Sequence, residues 1–359
     1  MPARSLSLRT SRLVRQRPVA ALFVALGCLN LGAWTWALVV FRHYPIALGT
    51  ALLAYGLGLR HAIDADHIAA IDNVTRKLMH EGKRPHSAGL YFSLGHSSIV
   101  ILASVAIAAT AGGLSEPIAR ARLLGGSVGT VVSASFLGLI AAINLFVLAS
   151  VHRAIRRVRR GEDLPEQALE STLAGGGLLA RLLRPCFRMI RSSWHMYPLG
   201  FLFGLGFDTA TEIAVLGISA AEASRGMPLW SILIFPALFT AGMSLLDTAD
   251  SVLMVGAYGW AFAHPLKKLY YNAAITFTSV IVALLVGAIE VLGLVGERMD
   301  SHTGFWNGVA SLNASAGAIG LAVIAVLLLS WGAAAAVYRL RGYHRRAPGE
   351  PGLASRAAA

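Results

Sequence analysis

The sequence predicts an all-α membrane protein with about eight transmembrane helices. Its 359 residues are 56% hydrophobic and only 14% charged, whereas soluble chains carry about 25% charged residues. Eight apolar segments are long enough to cross a bilayer, which takes about 20 residues in a helix. The basic residues alternate between successive connections, as they do in multi-pass membrane proteins. Together these observations exclude a soluble globular protein and favour one polytopic helical domain.

The predicted transmembrane helices follow the apolar segments in chain order. The first is an uncleaved membrane helix, because its apolar run from Val19 to Phe41 exceeds the length of a signal-peptide core. The sixth is long for one span, so we expect it to be tilted or to break near residues 256–259. The eight predicted spans are residues 19–42, 46–74, 87–111, 124–150, 196–221, 229–262, 270–295 and 309–338.

The distribution of Lys and Arg predicts which side of the membrane each connection faces. With the N-terminus placed inside, 25 of the 31 Lys and Arg residues fall in cytoplasmic segments and five in outer segments. Such a bias follows the positive-inside rule, so both termini are predicted to be cytoplasmic. The net charge of +13 therefore reflects topology and does not indicate nucleic-acid binding. Membrane lipid is the expected partner of the basic connection at residues 151–195.

Composition divides the chain into five segments, and two short patterns suggest a further symmetry. Helix two carries Gly56-Leu57-Gly58 before its ionisable residues, and helix five carries Gly204-Leu205-Gly206 before a second acidic group. Because these helices run in opposite directions, an inverted repeat with clusters meeting near the midplane is our hypothesis. The segments are a cytoplasmic N-terminal segment (1–18), helices one to four (19–150), a basic cytoplasmic loop (151–195), helices five to eight (196–338) and a disordered cytoplasmic tail (339–359).

Ionisable residues inside the predicted spans are the main functional signal. Eight of the 18 acidic residues lie there, and Arg60 is the only basic residue among them. Buried carboxylates must be paired, protonated or bound to a cation, and a divalent cation would satisfy several at once. These acids are Asp64, Asp66, Asp72, Asp208, Glu212, Asp247, Asp250 and Glu290.

Helical geometry groups these residues on shared faces. His61, Asp64 and His67 fall within about 120° of one another on an ideal helix, while Asp66 points to the opposite side. Asp66 is therefore a ligand only if helix two unwinds locally, and otherwise it pairs with Arg60 or a neighbouring helix. Two further pairs share or nearly share a face on their own helices, Asp208 with Glu212 and Asp247 with Asp250.

The donor set selects a class of metal. Imidazole nitrogens with carboxylate oxygens, and no cysteine nearby, suit Ni²⁺, Co²⁺, Zn²⁺ or Mn²⁺ better than Cu⁺. Some positions stay open between a structural and a functional role. His96 is either a ligand or a helix–helix hydrogen bond, Asp72 is either functional or paired with Arg76, and Glu290 is interpreted as solvated at the end of helix seven.

Four long motifs carry a resemblance to the nickel/cobalt transporter family, closest to its high-affinity nickel permeases. They lie in predicted helices two, three, five and six, and the first contains the family's H-x₄-D-H signature. The resemblance covers residues 45–340, including the eight-helix layout and the basic central loop. The motifs are residues 60–68 (RHAIDADHI), 92–100 (FSLGHSSIV), 205–213 (LGFDTATEI) and 242–250 (GMSLLDTAD).

The resemblance implies a permease rather than an enzyme. It implies high-affinity uptake of Ni²⁺, with Co²⁺ as a second candidate, across a bacterial inner membrane by alternating access. The metal is then the transported substrate, so no cofactor is expected, and the absence of a G-x₄-G-K-[ST] motif argues against a built-in ATPase. Asp247 and Asp250 are interpreted as a second site or a proton relay. The predicted metal site comprises His61, Asp64, Asp66, His67, His96, Asp208, Glu212, Asp247 and Asp250.

Two other functions stay open from the residues alone. A metal efflux carrier would use the same donors, although the chain has no long His-rich tract to gather cytoplasmic metal. An intramembrane metalloenzyme would retain its metal and turn over a substrate. No H-E-x-x-H motif supports that enzyme.

Overall fold

In the computed structural model, the described residues form helices joined by turns, and none of them forms a strand. The structure describes residues 3–109, 129–139, scattered positions from 141 to 156, and residues 190–205, 210–261, 265–299 and 303–340. The α-helices are α1 (Ala3–Phe41), α2 (Pro45–His61), α3 (Ala65–His80), α4 (Ala88–Ala109), α5 (Gly129–Leu139), α6 (Met196–Gly204), α7 (Ala210–Ser224), α8 (Leu229–Ile232), α9 (Ile234–Ala261), α10 (Pro265–Arg298), α11 (Gly304–Ala314) and α12 (Ala316–Leu340).

The long apolar helices confirm the predicted all-α class and belong to a multi-pass membrane protein. Four stretches are long and apolar enough to cross a membrane, and two bent helix pairs raise the number to six if each pair is one span. The predicted fourth span is described mainly as the shorter α5. Most of the predicted basic loop, and the tail beyond residue 340, lie outside the described residues. The four stretches are Pro18–Phe41, Ala88–Ala109, Leu229–Gly259 and Thr276–Gly296.

The predicted second span, residues 46–74, is not one continuous helix. It separates into α2 and α3, which meet at a 51° bend. Asp64 adopts an extended backbone with ψ of 145°. The amides of Ile63 and Asp64 donate to carbonyls only three residues back, so the regular ladder of the α-helix stops here. The break is the local unwinding that the sequence left open for helix two.

One of the other long spans is continuous and one is bent. In the predicted sixth span, α8 and α9 join through Leu233, whose amide donates to the carbonyl of Leu229 and whose carbonyl accepts from the amide of Ala237, as in a regular helix. α9 then continues through residues 256–259, so the break that was one of two expectations for this span is wrong there. The predicted eighth span consists of α11 and α12, which bend by 67° at Ser315. Broken helices of this kind line binding sites in many transporters.

Helix α9 lies at the centre of the packing and contacts α1, α2, α3 and α4. Helix α4 packs most extensively on α6 and also contacts α7. One apolar core joins five helices through Ile68, Leu137, Tyr258, Val286 and Val323. The outward face of α1 is apolar and exposed, as a lipid-facing surface should be.

Two glycines allow helices to approach each other beside the interior polar groups. A Cβ at Gly89 of α4 would lie 1.9 Å from the carbonyl oxygen of Asp247, and one at Gly320 of α12 would lie 1.7 Å from that of Ile63. No side chain fits at either distance. Small residues permit such close packing of membrane helices. Gly320 thereby lets the first turns of α12 pack directly against the α2–α3 break.

Candidate metal site

Three buried histidines from three helices form one cluster, which we call the histidine cluster. His61 ends α2, His67 lies in the first turn of α3, and His96 lies in the middle of α4. One ring nitrogen from each lies within 4.8 Å of the others, and no side chain of the three is more than 3% exposed. Among the described residues, this is the only group of three donors close enough to share a metal ion.

The break between α2 and α3 brings the first two histidines together. On an unbroken helix, residues six apart would be separated by about 9 Å of rise and about 120° of rotation. The bend places the ring centroids of His61 and His67 4.5 Å apart. His96 then lies 4.7 Å from the first ring and 4.9 Å from the second. The break therefore creates the cluster.

The first turn of α7 supplies two side chains to the same cluster. Oε1 of Glu212 lies 2.7 Å from Nε2 of His96, and Oγ1 of Thr211 lies 3.0 Å from Nδ1 of His61. Nε2 of His61 and Nε2 of His96 lie 2.9 Å apart. Glu212 was predicted from the sequence, and the structure places its carboxylate among the imidazole nitrogens.

Asp247 of α9 contacts the ring of His67 at Nδ1. Its Oδ2 lies 3.3 Å from Nδ1 of His67. The other ring nitrogen, Nε2, is buried and makes no hydrogen bond to any described residue, and Nδ1 of His96 shares that condition. Buried polar atoms are normally hydrogen-bonded, so these two nitrogens are candidates for binding a partner outside the protein, such as a cation.

Asp64 lies at the start of α3 but does not cap that helix. An aspartate at this position usually accepts a hydrogen bond from a backbone amide of the first turn. Here no side-chain capping bond forms. Its carboxylate turns toward His61, with Oδ2 3.3 Å from Nδ1, and Oδ1 lies 3.9 Å from the guanidinium of Arg60. Both oxygens are buried without a hydrogen bond within the described part of the chain.

Three other predicted residues do not join the histidine cluster in the described structure. Asp66 is half-buried in the first turn of α3 and makes no hydrogen bond or ion pair with the residues that the structure describes. Asp250 lies one turn beyond Asp247 on α9, half-buried, and its Oδ2 has no hydrogen-bond partner there. Asp208 falls in residues 206–209, which lie outside the described residues.

The chemistry of the histidine cluster suits a divalent cation. Three carboxylates, from Asp64, Glu212 and Asp247, contact the three imidazoles within 3.3 Å. Among the described contacts, the nearest fixed positive charge is Arg60, whose side chain is 41% exposed and reaches only Asp64. Nitrogen and carboxylate donors with an excess of negative charge are the ligand set of Ni²⁺, Co²⁺ or Zn²⁺.

A second buried polar group, the Asp72 cluster, lies on α3, α9 and α10, the first two of which also carry His67 and Asp247. We define it as Asp72, Asn73, Arg76, Tyr258 and Ser279. The hydroxyl of Tyr258 donates to Oδ1 of Asp72, and Oγ of Ser279 donates to Oδ2 at 2.9 Å. Nη2 of Arg76 donates to the side-chain oxygen of Asn73 at 3.0 Å. Each oxygen of this carboxylate therefore already has a protein donor.

Sequence reasoning missed Thr211, Tyr258 and Ser279. Thr211 lies inside a motif that the sequence analysis singled out, so its position beside Glu212 was the available signal. The other two are single polar residues in apolar helices. Nothing in their local sequence distinguishes them from ordinary helix–helix contacts, and only the packing of α3, α9 and α10 reveals their common partner.

Comparison with known proteins gives a family match over most of the chain. The family described as high-affinity nickel-transport proteins (NicO) matches residues 47–337. That range includes every described residue of the histidine cluster and of the Asp72 cluster. No solved structure gives a significant match.

Several characterised proteins are similar to this chain over nearly their whole length. The high-affinity nickel transport protein of Cupriavidus necator is 58% identical over 325 residues, which are 90% of this chain and 93% of that protein. The hydrogenase nickel incorporation protein HupN of Bradyrhizobium diazoefficiens is 51% identical, covering 93% of this chain and 86% of its own. The cobalt transport protein NhlF of Rhodococcus rhodochrous is 40% identical, covering 79% and 80%.

Proposed function

The chain belongs to the NicO family of high-affinity nickel-transport proteins, and we propose on that premise that it imports Ni²⁺ by alternating access around the histidine cluster. It is a membrane transporter and not an enzyme, because its family and relatives are nickel-transport proteins. No cofactor is needed, since the metal is the transported substrate. The observation that carries the mechanism is the buried convergence of three imidazoles and Glu212.

The proposed ligands divide into donors at the ion and carboxylates around it. His61, His67 and His96 supply nitrogen, and Glu212 supplies oxygen. Asp64 and Asp247 lie against Nδ1 of His61 and His67 and balance the charge of the ion. Asp66, Asp208 and Asp250 are proposed to attract the ion along its path. Asp250 is also proposed to form, together with Asp247, the second site or proton relay.

The donor set of the histidine cluster supports a divalent metal of the Ni²⁺, Co²⁺ or Zn²⁺ class. Nε2 of His96 lies 2.9 Å from Nε2 of His61 and 2.7 Å from Oε1 of Glu212, which are hydrogen-bond distances. The choice of Ni²⁺ within this class rests on the family. An entering ion would take the place of the protons between these atoms.

Two broken helices support alternating access. α2 and α3 bend by 51°, and α11 and α12 bend by 67°. The N-terminus of α12 faces the first break, where a Cβ at Gly317 would lie 3.3 Å from Oδ1 of Asp64. Secondary transporters commonly build their sites where discontinuous helices meet and then rock one bundle against another. We also propose the inverted repeat from the two Gly-Leu-Gly motifs, the first of which lies within α2 while the second begins where α6 ends.

The proposed topology has eight spans and five segments in a bacterial inner membrane, with both termini and the loop at residues 151–195 in the cytoplasm. The excess of basic residues in the connections assigned to that side supports it. The proposed partners are Ni²⁺ or Co²⁺ and membrane lipid, with no nucleic acid and no ATPase subunit. The membrane potential favours entry of a divalent cation by about 4.6 kcal/mol per 100 mV, twice the value for one charge.

Metal uptake in cells that lack their own nickel importers tests this function. Radiolabelled Ni²⁺ at nanomolar concentration should accumulate saturably with the wild-type protein. His67→Ala should abolish the uptake, while His43→Ala, which changes an exposed histidine between α1 and α2, should not. Excess Mg²⁺ should not compete, whereas excess Co²⁺ should compete if the two ions share the site.

The alternatives give different results in the same system. A well-expressed wild-type protein without uptake would overturn the import proposal. Nickel loss from preloaded cells would then indicate the efflux carrier. Uptake that survives in His67→Ala would leave transport in place and overturn the histidine cluster as its site.

A further inference from the structure

Thr211 makes a polar contact that differs from those of two buried threonines of α9. Its side chain is 2% exposed, and Oγ1 reaches Nδ1 of His61, 150 positions away in the chain, at 3.0 Å. Thr240 and Thr248 of α9 instead donate to the carbonyl four residues earlier in their own helix, which is the usual bond of a helical threonine. Thr211 therefore joins α7 to the histidine cluster.

The surroundings of His61 determine which ring nitrogen carries the proton. A neutral imidazole has one N–H donor and one nitrogen with a free lone pair, and a hydrogen bond to one nitrogen sets the role of the other. Nδ1 of His61 faces Thr211 Oγ1 at 3.0 Å and Asp64 Oδ2 at 3.3 Å. The Thr211 hydroxyl can donate or accept, whereas the Asp64 carboxylate lies close to Nδ1 without a hydrogen bond and favours a proton on Nδ1 through its negative charge. Nε2 then presents its lone pair toward His96, 2.9 Å away.

We propose that Thr211 is a positioning residue for His61: the Thr211 hydroxyl accepts a hydrogen bond from Nδ1–H and so directs Nε2 at the transported ion. The inference rests on the proposed function, because it assigns a role within the same site. Oγ1 is closer to Nδ1 than the Asp64 oxygen is, so the hydroxyl sets the ring orientation while the carboxylate supplies charge. Partners that orient metal-binding histidines commonly contribute a factor of 10 to 100 in affinity.

The neighbouring residue makes Thr211 more than a local contact. Glu212 follows it directly in α7 and contacts His96 at 2.7 Å. One helical turn of α7 therefore contacts both His61 and His96, whose Nε2 atoms lie 2.9 Å apart. A shift of the hydroxyl contact would change the distance between His61 and the donors on His96 and Glu212, which are the atoms that an ion must bridge.

The isosteric variant Thr211→Val tests this role. It removes the hydroxyl and keeps the branched shape, so we expect the apparent KM for Ni²⁺ uptake to rise about 10- to 100-fold with little change in maximal rate. Thr211→Ser keeps the hydroxyl and should restore a KM within about threefold of wild type. Thr240→Val, a buried threonine bonded only within α9 in the described structure, is the matched control and should leave KM unchanged.

The outcomes separate failure of this inference from failure of the proposed function. The Kd for Ni²⁺ is measured on purified protein by calorimetry for wild type, His61→Ala, Thr211→Val and the double variant. If Thr211 acts through His61, Thr211→Val weakens binding in the wild type but adds nothing to His61→Ala. A wild-type Kd for Thr211→Val beside a weakened His61→Ala overturns the positioning role alone. An unchanged Kd for His61→Ala overturns the site itself. If Thr211→Val does not fold, Thr211→Ala takes its place in the same cycle.

Discussion

Polar contacts join α3 to α9 at two places, where Asp247 contacts the histidine cluster and within the Asp72 cluster. The polar atoms at these two places are paired differently. In the Asp72 cluster, the hydroxyls of Tyr258 and Ser279 donate to the two oxygens of one carboxylate. Nη1 of Arg76 lacks a hydrogen bond to the described residues, but a guanidinium nitrogen only donates and cannot bind a cation.

Around the histidine cluster, the atoms without hydrogen bonds to the described residues are Nε2 of His67, Nδ1 of His96 and both oxygens of Asp64. Acceptors that already have protein donors stabilise helix packing, whereas acceptors without donors can receive a ligand.

This difference separates two roles that look alike in the sequence. Both clusters consist of acidic and polar residues in apolar helices, and both are almost completely buried. Pairing distinguishes them better than burial or charge does. Substitutions in the histidine cluster should change metal transport, and substitutions in the Asp72 cluster should change stability.

Removing a proposed ligand should have the largest effect. His96→Ala deletes the ring that lies between His61, His67 and Glu212, and we expect more than about 100-fold lower uptake, beyond the usual effect of an outer partner. Uptake of radiolabelled Ni²⁺ is measured per amount of folded protein. Normal uptake in this variant would remove the distinction between the two clusters.

Changing the charge but not the size of one donor should have the next largest effect. Glu212→Gln keeps one side-chain oxygen beside His96 and loses the negative charge. We expect the KM for Ni²⁺ to rise about 10- to 100-fold. Glu81→Gln, at an exposed carboxylate that pairs with Lys83, is the control and should behave as wild type. Equal KM values for the two variants would contradict a charged donor at position 212.

Disturbing the break that creates the histidine cluster should have an intermediate effect. Gly320→Ala would place a methyl group 1.7 Å from the carbonyl oxygen of Ile63, so α12 must move away from the break. We expect a loss of about 1–3 kcal/mol in the free energy of unfolding, as for other overpacked sites, together with a raised KM. Gly217→Ala has open space around it and should change neither quantity. Thermal melting of detergent-solubilised protein provides the measurement.

Removing a donor from the Asp72 cluster should have the smallest effect on transport. Tyr258→Phe leaves Oδ1 of Asp72 without this hydroxyl, and we expect stability to fall by about 1 kcal/mol while the KM for Ni²⁺ stays within about twofold. Ser279→Ala should act similarly. Because both hydroxyls donate to one carboxylate, the loss of stability in the double variant should differ from the sum of the losses in the two single variants. A large rise in KM for either single variant would assign this cluster to the transport path.

The site residues that the sequence could identify are those whose chemistry is unusual in a membrane. His61, His67 and Glu212 stand out because ionisable side chains are costly in apolar helices. His96 stayed ambiguous, since one histidine between serines also suits a helix–helix hydrogen bond. The structure places it in ring contact with the other two. Asp66 differs from His96, since it lies within the signature motif yet makes no hydrogen bond or ion pair with the histidine cluster in the described structure.

The positions of the helix interruptions were beyond the sequence pattern. Residues 256–259 contain two glycines, and a break there was one of two expectations for the sixth span, but α9 continues through them. Glycine lowers helix stability only by about 1 kcal/mol, and packing on both sides overrides that preference. The break at residues 62–64 contains no glycine or proline. Gly317 and Gly320 of α12 pack against Asp64 and Ile63 at this break.

The sequence by itself determined the all-α membrane class, the family and the residue types of the metal site. These follow from hydropathy, from the cost of charge in a bilayer and from motifs that are contiguous in the chain. Only the tertiary structure decided that α2 breaks at Ala62, that Thr211 contacts His61, and that Asp72 accepts hydrogen bonds from two hydroxyls. Each of these depends on contacts between residues far apart in sequence, because helix packing fixes the distances that local pattern leaves open.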